Sequence, residues 1–171
     1  MKRAHLSNIV FTALFAALIL AVTRLSVPIA LGYIHLGDAM IYLAALILPA
    51  PYAAAAAAIG AGLADFTAGY AVYVLPSVVI KTLLVLAAKG LCRLSGKPAI
   101  QDGLVCAAGI ITVVGYYLAD AVIALAAGSD PAAAFTGALS GIPFNAIQAA
   151  ASGALYFLLA AAVRKGFQKY L

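Results

Sequence analysis

Six apolar segments separated by short polar stretches make up most of the chain. They cover residues 8–25, 36–48, 51–69, 74–92, 103–127 and 138–163. The hydrocarbon core of a bilayer is about 30 Å thick, and about 20 apolar helical residues cross it. The pattern therefore predicts an all-α membrane protein: a bundle of six transmembrane helices that forms a single integral membrane domain over residues 1–171.

The second segment is shorter than the others. A helix over residues 36–48 would cover about 20 Å at 1.5 Å per residue, which is less than the bilayer. Pro49 and Pro51 end it, because proline removes a backbone donor and clashes with the preceding helical turn. We expect a partial crossing that packs against its neighbours.

Composition and charge agree with this class and indicate an orientation. The chain is 67% hydrophobic and 9% charged, which leaves too little polar surface for a water-soluble globule. Most basic residues fall before the first segment, between the fourth and fifth, and after the sixth. Basic loops are typically cytoplasmic, so we expect a plasma-membrane protein with both termini in the cytoplasm. The net charge of +5 thus reports topology and predicts no nucleic-acid partner.

Four ionisable residues lie inside or at the mouth of the apolar segments: Asp38, Asp65, Lys81 and Asp120. A charge in hydrocarbon costs free energy unless it is paired with an opposite charge or hydrated, so such residues usually mark a substrate or ion site. The predicted topology places all four in the outer half of the membrane and leaves the inner half almost without polar side chains. This distribution favours a binding cup open to the outside over a channel or a proton relay.

The loop between the first two segments is a candidate part of that cup. Residues 32–38 combine two glycines, which permit a tight loop over a pocket, with Tyr33, His35 and Asp38. Asp38 has an alternative role as a cap of the following helix. The alternative for His35 is that it is an ordinary surface histidine without a ligand.

Lys81 and Asp120 lie on consecutive antiparallel segments at similar predicted depth. One interpretation is a structural ion pair, and the other is that both groups hold polar edges of a ligand. Asn145 and Gln148 are three residues apart on one helix face, and each amide offers a donor and an acceptor. Such groups suit a planar heterocycle.

Tyrosines supply candidate stacking surfaces for such a ring. Tyr116 and Tyr117 lie within the fifth segment, where an aromatic belt at the membrane interface explains them poorly. The belt explains Tyr70 and Tyr73 well, because both lie at a segment end.

Small residues recur along the first segment. Ala13, Ala17 and Ala21 are spaced every fourth position, and such faces let helices approach closely in lipid. The face serves either internal packing or docking of another membrane protein.

In order and spacing, these features resemble the S component, the substrate-binding subunit of energy-coupling factor (ECF) vitamin transporters. The resemblance rests on the alanine spacing, on the stretches GYIHLGDA and IGAGLADFTAGY, and on VIK, which contains Lys81. It implies capture of a vitamin or precursor at the outer face. It also implies docking of Ala13, Ala17 and Ala21 on a transmembrane coupling subunit, and uptake powered by two cytoplasmic ATPases.

The resemblance further implies which residues bind substrate. The closing loop supplies residues from Tyr33 to Asp38, and the later helices supply Lys81, Asp120, Asn145 and Gln148. Tyr116 and Tyr117 join the predicted site as stacking residues, on the argument given above. Within the family, GYIHLGDA and the turn at residues 48–51 look most like branches for queuosine precursors or for hydroxymethylpyrimidine and pyridoxine-type compounds. No cofactor or metal is expected, and no phosphate-binding loop of the type G-x-x-x-x-G-K-[ST] is present in the sequence.

Two other functions are open to such a chain. A self-sufficient secondary transporter of a small polar metabolite is one, although such proteins usually carry repeats and midplane sites. An intramembrane enzyme is the other. His5 and His35 give no serine nucleophile a plausible base, and without glutamate no His-Glu-x-x-His zinc motif exists, so only an aspartyl mechanism at Asp65 and Asp120 would remain.

Overall fold

The computed structural model describes residues 2–29 and 32–166, and these are almost entirely helical. The helices are α1 (Lys2–Arg24), α2 (Gly37–Ile47), α3 (Ala50–Ala68), α4 (Val74–Cys92), α5 (Pro98–Ala107), α6 (Ile110–Ala126), α7 (Pro131–Ala138) and α8 (Ile142–Gly166). A break at residues 108–109 separates α5 from α6, and a 3-10 turn, Leu139–Gly141, joins α7 to α8. The six predicted segments are therefore confirmed, although the fifth and sixth are each divided and begin earlier than expected.

Length and composition suit these helices to a bilayer. Four stretches within the described residues are long and apolar enough to span one: Arg3–Arg24, Ala71–Cys92, Pro98–Ala126 and Pro131–Lys165. The helix α2 is shorter, as the sequence predicts, because Leu48 adopts an extended conformation and Pro49 precedes the next helix.

The short helix α2 occupies the centre of the bundle. Every residue from Gly37 to Ala45 is buried, and the helix packs against α1, α3, α4 and α8. Its composition is almost wholly apolar, so surrounding it with other helices costs little. The exception is Asp38, which is completely buried near its start.

Small residues bring α1 and α3 close together. A Cβ atom added at Gly60 would lie 2.7 Å from the backbone oxygen of Ala16, so only glycine permits this approach. The contact buries Ala16 and leaves Ala13, Ala17 and Ala21 exposed on another face of α1. Among the described residues, the face that carries these three alanines is therefore not used for packing.

A two-stranded antiparallel ribbon joins α1 to α2 where the sequence predicted a loop. Strand β1 (Val27–Ile29) pairs with β2 (Gly32–Ile34), with Pro28 opposite Tyr33. β-branched residues favour this extended pairing. The ribbon leads directly into His35 and the start of α2.

The two ends of the bundle differ in charge. Basic residues gather at the end that contains the α4–α5 connection and the last turns of α8, which we call the basic end; they are Lys89, Arg93, Lys97, Arg164 and Lys165. The ribbon, the start of α4 and the α6–α7 connection lie at the opposite end, which we call the distal end.

Candidate functional site

Two helices each present a polar residue at every fourth position, and the two columns face each other. The spacing of four places the members of a column on one helix face. The helices run antiparallel, so the columns meet residue by residue. We call this set the polar ladder: Tyr73, which ends a 3-10 turn (Ala71–Tyr73) and is the N-cap of α4, then Ser77 and Lys81 in the first turns of α4, and Thr112, Tyr116 and Asp120 on α6.

The two outer rungs of the ladder join hydroxyl and carboxylate groups. The hydroxyl of Tyr73 donates to Asp120 Oδ1 at 2.8 Å. One turn deeper, the hydroxyls of Ser77 and Tyr116 are 2.7 Å apart. The rings of Tyr73 and Tyr116 lie side by side with centroids 6.5 Å apart, so both rungs share one aromatic wall.

The deepest rung contains a buried ion pair. Lys81 Nζ lies 2.7 Å from Asp38 Oδ1 and 2.9 Å from Oδ2, and it donates to Thr112 Oγ1 at 3.4 Å. The Thr112 hydroxyl in turn donates to Asp38 Oδ2 at 3.0 Å. All three side chains are at most 1% exposed. Lys81 Nζ also lies 5.0 Å from the centroid of the Tyr116 ring, a favourable cation–π distance.

This arrangement excludes two of the alternatives that the sequence left open. The ion pair between Lys81 and Asp120 is not formed, because the register of the antiparallel helices places Lys81 opposite Thr112, two turns from Asp120. The partner of Lys81 is Asp38. Asp38 does not cap α2 either, since no side chain caps that helix start and the carboxylate faces Lys81 instead.

His35 and Gln148 connect the ribbon to α8. The backbone N–H of His35 donates to Gln148 Oε1 at 3.3 Å, and the backbone N–H of Gly37 donates to His35 Nδ1 at 3.0 Å. His35 is buried, contrary to the surface position expected of a loop histidine. Burial lowers its pKa to about 4, the nearby Asp38 opposing and Lys81 assisting the shift, so the imidazole is neutral near pH 7.

Asp120 and Asn145 border the same glycine at the distal end. A Cβ atom at Gly141 would lie 3.1 Å from Asp120 Oδ2 and 3.6 Å from Asn145 Nδ2. The 3-10 turn at Leu139–Gly141 therefore brings α8 close to α6 at the level of the outermost rung. Both polar side chains are only partly buried.

Two predicted residues are not placed with this group. The ring of Tyr117 packs against Phe135 of α7, with centroids 6.2 Å apart, because it points away from the face that carries Tyr116. The backbone of Tyr33 lies in β2, but its side chain is outside the described part of the structure.

Below the ladder the packing becomes apolar. Leu84 and Val85, one turn beyond Lys81 on α4, are fully buried in a core that includes Ala88, Val105 and Ala108. Among the described residues, no group of three His, Cys, Asp or Glu side chains is positioned to hold a metal ion.

A second buried polar cluster at the basic end corrects the expectation of a nearly nonpolar inner half. Asp102 Oδ1 accepts a hydrogen bond from Tyr156 at 2.7 Å and is paired with Arg164 Nη2 at 2.7 Å. Asp102 was missed because it falls just before the fifth apolar segment as read from the sequence. The structure extends that helix back to Pro98 and buries the carboxylate.

The sequence model of the family described as "ECF-type riboflavin transporter, S component" matches residues 3–165. The chain belongs to this family. No curated protein matches it significantly.

The fold of this S component is also found among solved structures. It is similar to a chain described as "Structure and mechanism of the S component of a bacterial ECF transporter", with a TM-score of 0.65 and 14% sequence identity. The match covers 95% of this S component and 98% of that chain. At this identity the likeness concerns the fold alone, which confirms the predicted S-component architecture.

Proposed function

We propose that this S component captures a small planar nitrogen heterocycle at its distal end, for import by a coupling subunit and two ATPases. The observation that carries the proposal is the set of unused hydrogen-bonding groups around the outer rungs of the polar ladder. The whole chain, residues 1–171, acts as one substrate-binding membrane domain without enzymatic activity.

Three side chains near the ladder retain bonding capacity. Asp120 uses Oδ1 for Tyr73, which leaves Oδ2 as an acceptor beside Gly141. Among the described residues, the amide of Asn145 makes no hydrogen bond, and Gln148 uses only its Oε1. Together they offer a carboxylate acceptor, an amide donor and a group able to do both, which complements the mixed edges of a heterocycle.

Aromatic rings and the ion pair define the rest of the proposed pocket. Tyr73 and Tyr116 supply a wall for stacking against a planar ligand. The pair of Lys81 and Asp38 fixes the base of the ladder, and its charges satisfy each other. We therefore assign Lys81 and Asp38 to shaping the pocket floor, and the outer groups to direct ligand contact.

The ligand to test first is riboflavin, because the matching family is described as a riboflavin transporter family. Riboflavin is a planar nitrogen heterocycle with donor and acceptor edges, so it fits the chemistry above. The narrower prediction of a queuosine precursor, or of hydroxymethylpyrimidine or pyridoxine-type compounds, stays a prediction. These compounds are the natural competitors in a binding assay.

Family membership implies association with an ECF coupling subunit and ATPases. We place the basic end in the cytoplasm because basic connections favour that side, so that the pocket opens outward. We propose that the exposed face of α1 that carries Ala13, Ala17 and Ala21 docks on the coupling subunit. The apolar packing beneath Lys81 supports release by movement of the whole bundle rather than by passage through it.

Mass spectrometry of small molecules retained by the purified full-length chain tests the proposal. We expect a planar nitrogen heterocycle in the denatured extract, and saturable binding of riboflavin that unlabelled competitors displace according to their affinity. A chain that retains no such compound and binds none of riboflavin, queuosine precursors, hydroxymethylpyrimidine or pyridoxine contradicts it. Recovery of a chemically converted ligand would instead indicate an enzyme.

A further inference from the structure

A separate cavity of about 480 Å³ lies at the basic end, far from the polar ladder. It is formed by the ends of α2 and α4, the connection that follows α4, and α5. Ala45 and Ala88 lie on its wall, each two turns beyond Asp38 and Lys81, about 10 Å further along their helices. The volume is within the range of about 300–1,000 Å³ that is typical of small-molecule sites.

Polar groups line the rim of this cavity, and two of them are cations. Lys89 is half-buried and Arg93 is exposed. Ser95 Oγ accepts a hydrogen bond from the backbone N–H of Lys97 at 3.2 Å, which leaves the hydroxyl proton of Ser95 to donate. Gln101 Nε2 donates to the backbone oxygen of Ser95 at 2.8 Å and so holds the connection over the cavity.

In the described part of the chain, no aspartate forms an ion pair with either of these two cations. The chain has five acidic residues, all aspartates and all within the described part. Asp38 is paired with Lys81, and Asp102 with Arg164. The other three, Asp65, Asp120 and Asp130, belong to the distal half of the bundle. Lys89 and Arg93 are four residues apart on one helix, a spacing at which like charges repel. A bound anion would remove that repulsion.

The remaining wall is apolar. It consists of Ala45, Leu46, Ala88, Cys92 and Val105. A free inorganic anion would leave this part of the cavity unused. An anion with an attached hydrocarbon chain would use both parts, because its charge would meet the cations and its chain would cover the apolar wall.

We propose that this cavity binds the phosphate group of an anionic membrane lipid, with Lys89, Arg93 and the Ser95 hydroxyl on the phosphate and the start of an acyl chain against the apolar wall. The general attraction of basic segments to anionic membrane surfaces requires only charge. The cavity adds a site of defined shape. The basic residues that line it should therefore contribute more to lipid binding than other basic residues at the same end. This inference does not depend on the identity of the imported ligand.

Native mass spectrometry of the full-length chain in neutral detergent tests the inference with a short-chain phosphatidylglycerol as the probe. We expect saturable binding of one lipid, and Lys89→Gln and Arg93→Gln each to weaken it about fivefold. Lys97→Gln is the matched control, because Lys97 belongs to the same connection and carries the same charge but does not line the cavity. We expect that variant to bind within about twofold of the unmodified chain.

Three outcomes would overturn the inference. The first is equal loss of binding in Lys97→Gln, which would reduce the effect to surface charge. The second is equal binding of phosphatidylcholine, whose headgroup carries no net charge. The third is displacement of the lipid by inorganic phosphate at a similar concentration, which would show that the cavity binds free phosphate as well as it binds a lipid. Circular dichroism of each variant confirms that the helices are intact before binding is compared.

Discussion

The hydroxyl of Tyr73 lies 2.8 Å from Asp120 Oδ1, and this contact fixes how α4 meets α6. It engages one carboxylate oxygen and leaves the other, Oδ2, beside Gly141 and within reach of the space next to Asn145. The tyrosine is therefore a positioning residue for Asp120. The two deeper rungs follow from the same register, down to Lys81 and its partner Asp38.

We expect Lys81→Met to lower the free energy of unfolding by about 3–5 kcal/mol, because it leaves the buried carboxylate of Asp38 without a cation. The double variant Asp38→Asn with Lys81→Met removes both charges, and we expect it to recover most of the loss. Thermal unfolding in detergent, followed by circular dichroism, measures both. A single variant as stable as the unmodified chain would show that the ion pair is unimportant for the fold.

Gly37 allows the ribbon and α2 to approach the end of α1. A Cβ atom there would collide with Thr23 Oγ1, and Thr23 is itself buried. We expect Gly37→Ala to lower the melting temperature, and the added substitution Thr23→Ala to restore part of it. Gly90→Ala is the control: Gly90 is helical with nothing within 4 Å, so alanine should be neutral or stabilising by about 0.5–1 kcal/mol. Equal effects of the two glycine substitutions would contradict the proposed collision.

The buried imidazole of His35 predicts a specific pH dependence. Its pKa is about 4 in the folded chain and about 6.5 when unfolded, so between these values the unfolded state binds more protons. Stability should fall by up to about 3 kcal/mol as pH decreases from about 6.5 to 4. Comparing unfolding of the unmodified chain and His35→Gln across this range isolates the contribution, because glutamine does not titrate. Parallel curves for the two proteins would refute it.

The exposed alanine face of α1 makes the docking proposal testable. We expect Ala17→Leu to abolish co-purification with the coupling subunit, because a larger side chain prevents close helix approach in lipid. Ala161→Leu, which enlarges an exposed alanine of α8, is the matched control and should co-purify normally. If the Ala17→Leu variant still co-purifies fully with the coupling subunit, this face of α1 is not the docking surface.

Much of the fold follows from the sequence because hydrophobic runs and prolines determine it locally. The six segments and the short helix before Pro49 are of this kind. The ribbon between α1 and α2 was not predicted, since short strands carry a weak local signal and depend on their surroundings. The division of the fifth segment at residues 108–109 was also missed. Gly109 packs there with no room for a Cβ atom, which would lie 2.9 Å from the Tyr42 hydroxyl.

Which residues belong to the candidate site was easier to predict than which of them are paired with each other. Lys81 and Asp120 were recognised as buried polar residues, but their pairing depends on helix register, which is set by tertiary contacts. Ser77 and Thr112 were overlooked because single hydroxyls are common in membrane helices. The signal that would have found them is the spacing of four, which links Ser77 to Lys81 and Thr112 to Tyr116.

The most direct test of the account is a titration of the purified chain with riboflavin, followed by the flavin's fluorescence or by calorimetry. We expect Asp120→Asn and Asn145→Ala each to weaken binding by about 1–3 kcal/mol, because each leaves a ligand group without its partner. Asp130→Asn is the matched control at the same end of the bundle, and it should bind normally because asparagine also caps α7 well. Unchanged affinity in both Asp120→Asn and Asn145→Ala would contradict a ligand site at the outer rungs of the polar ladder.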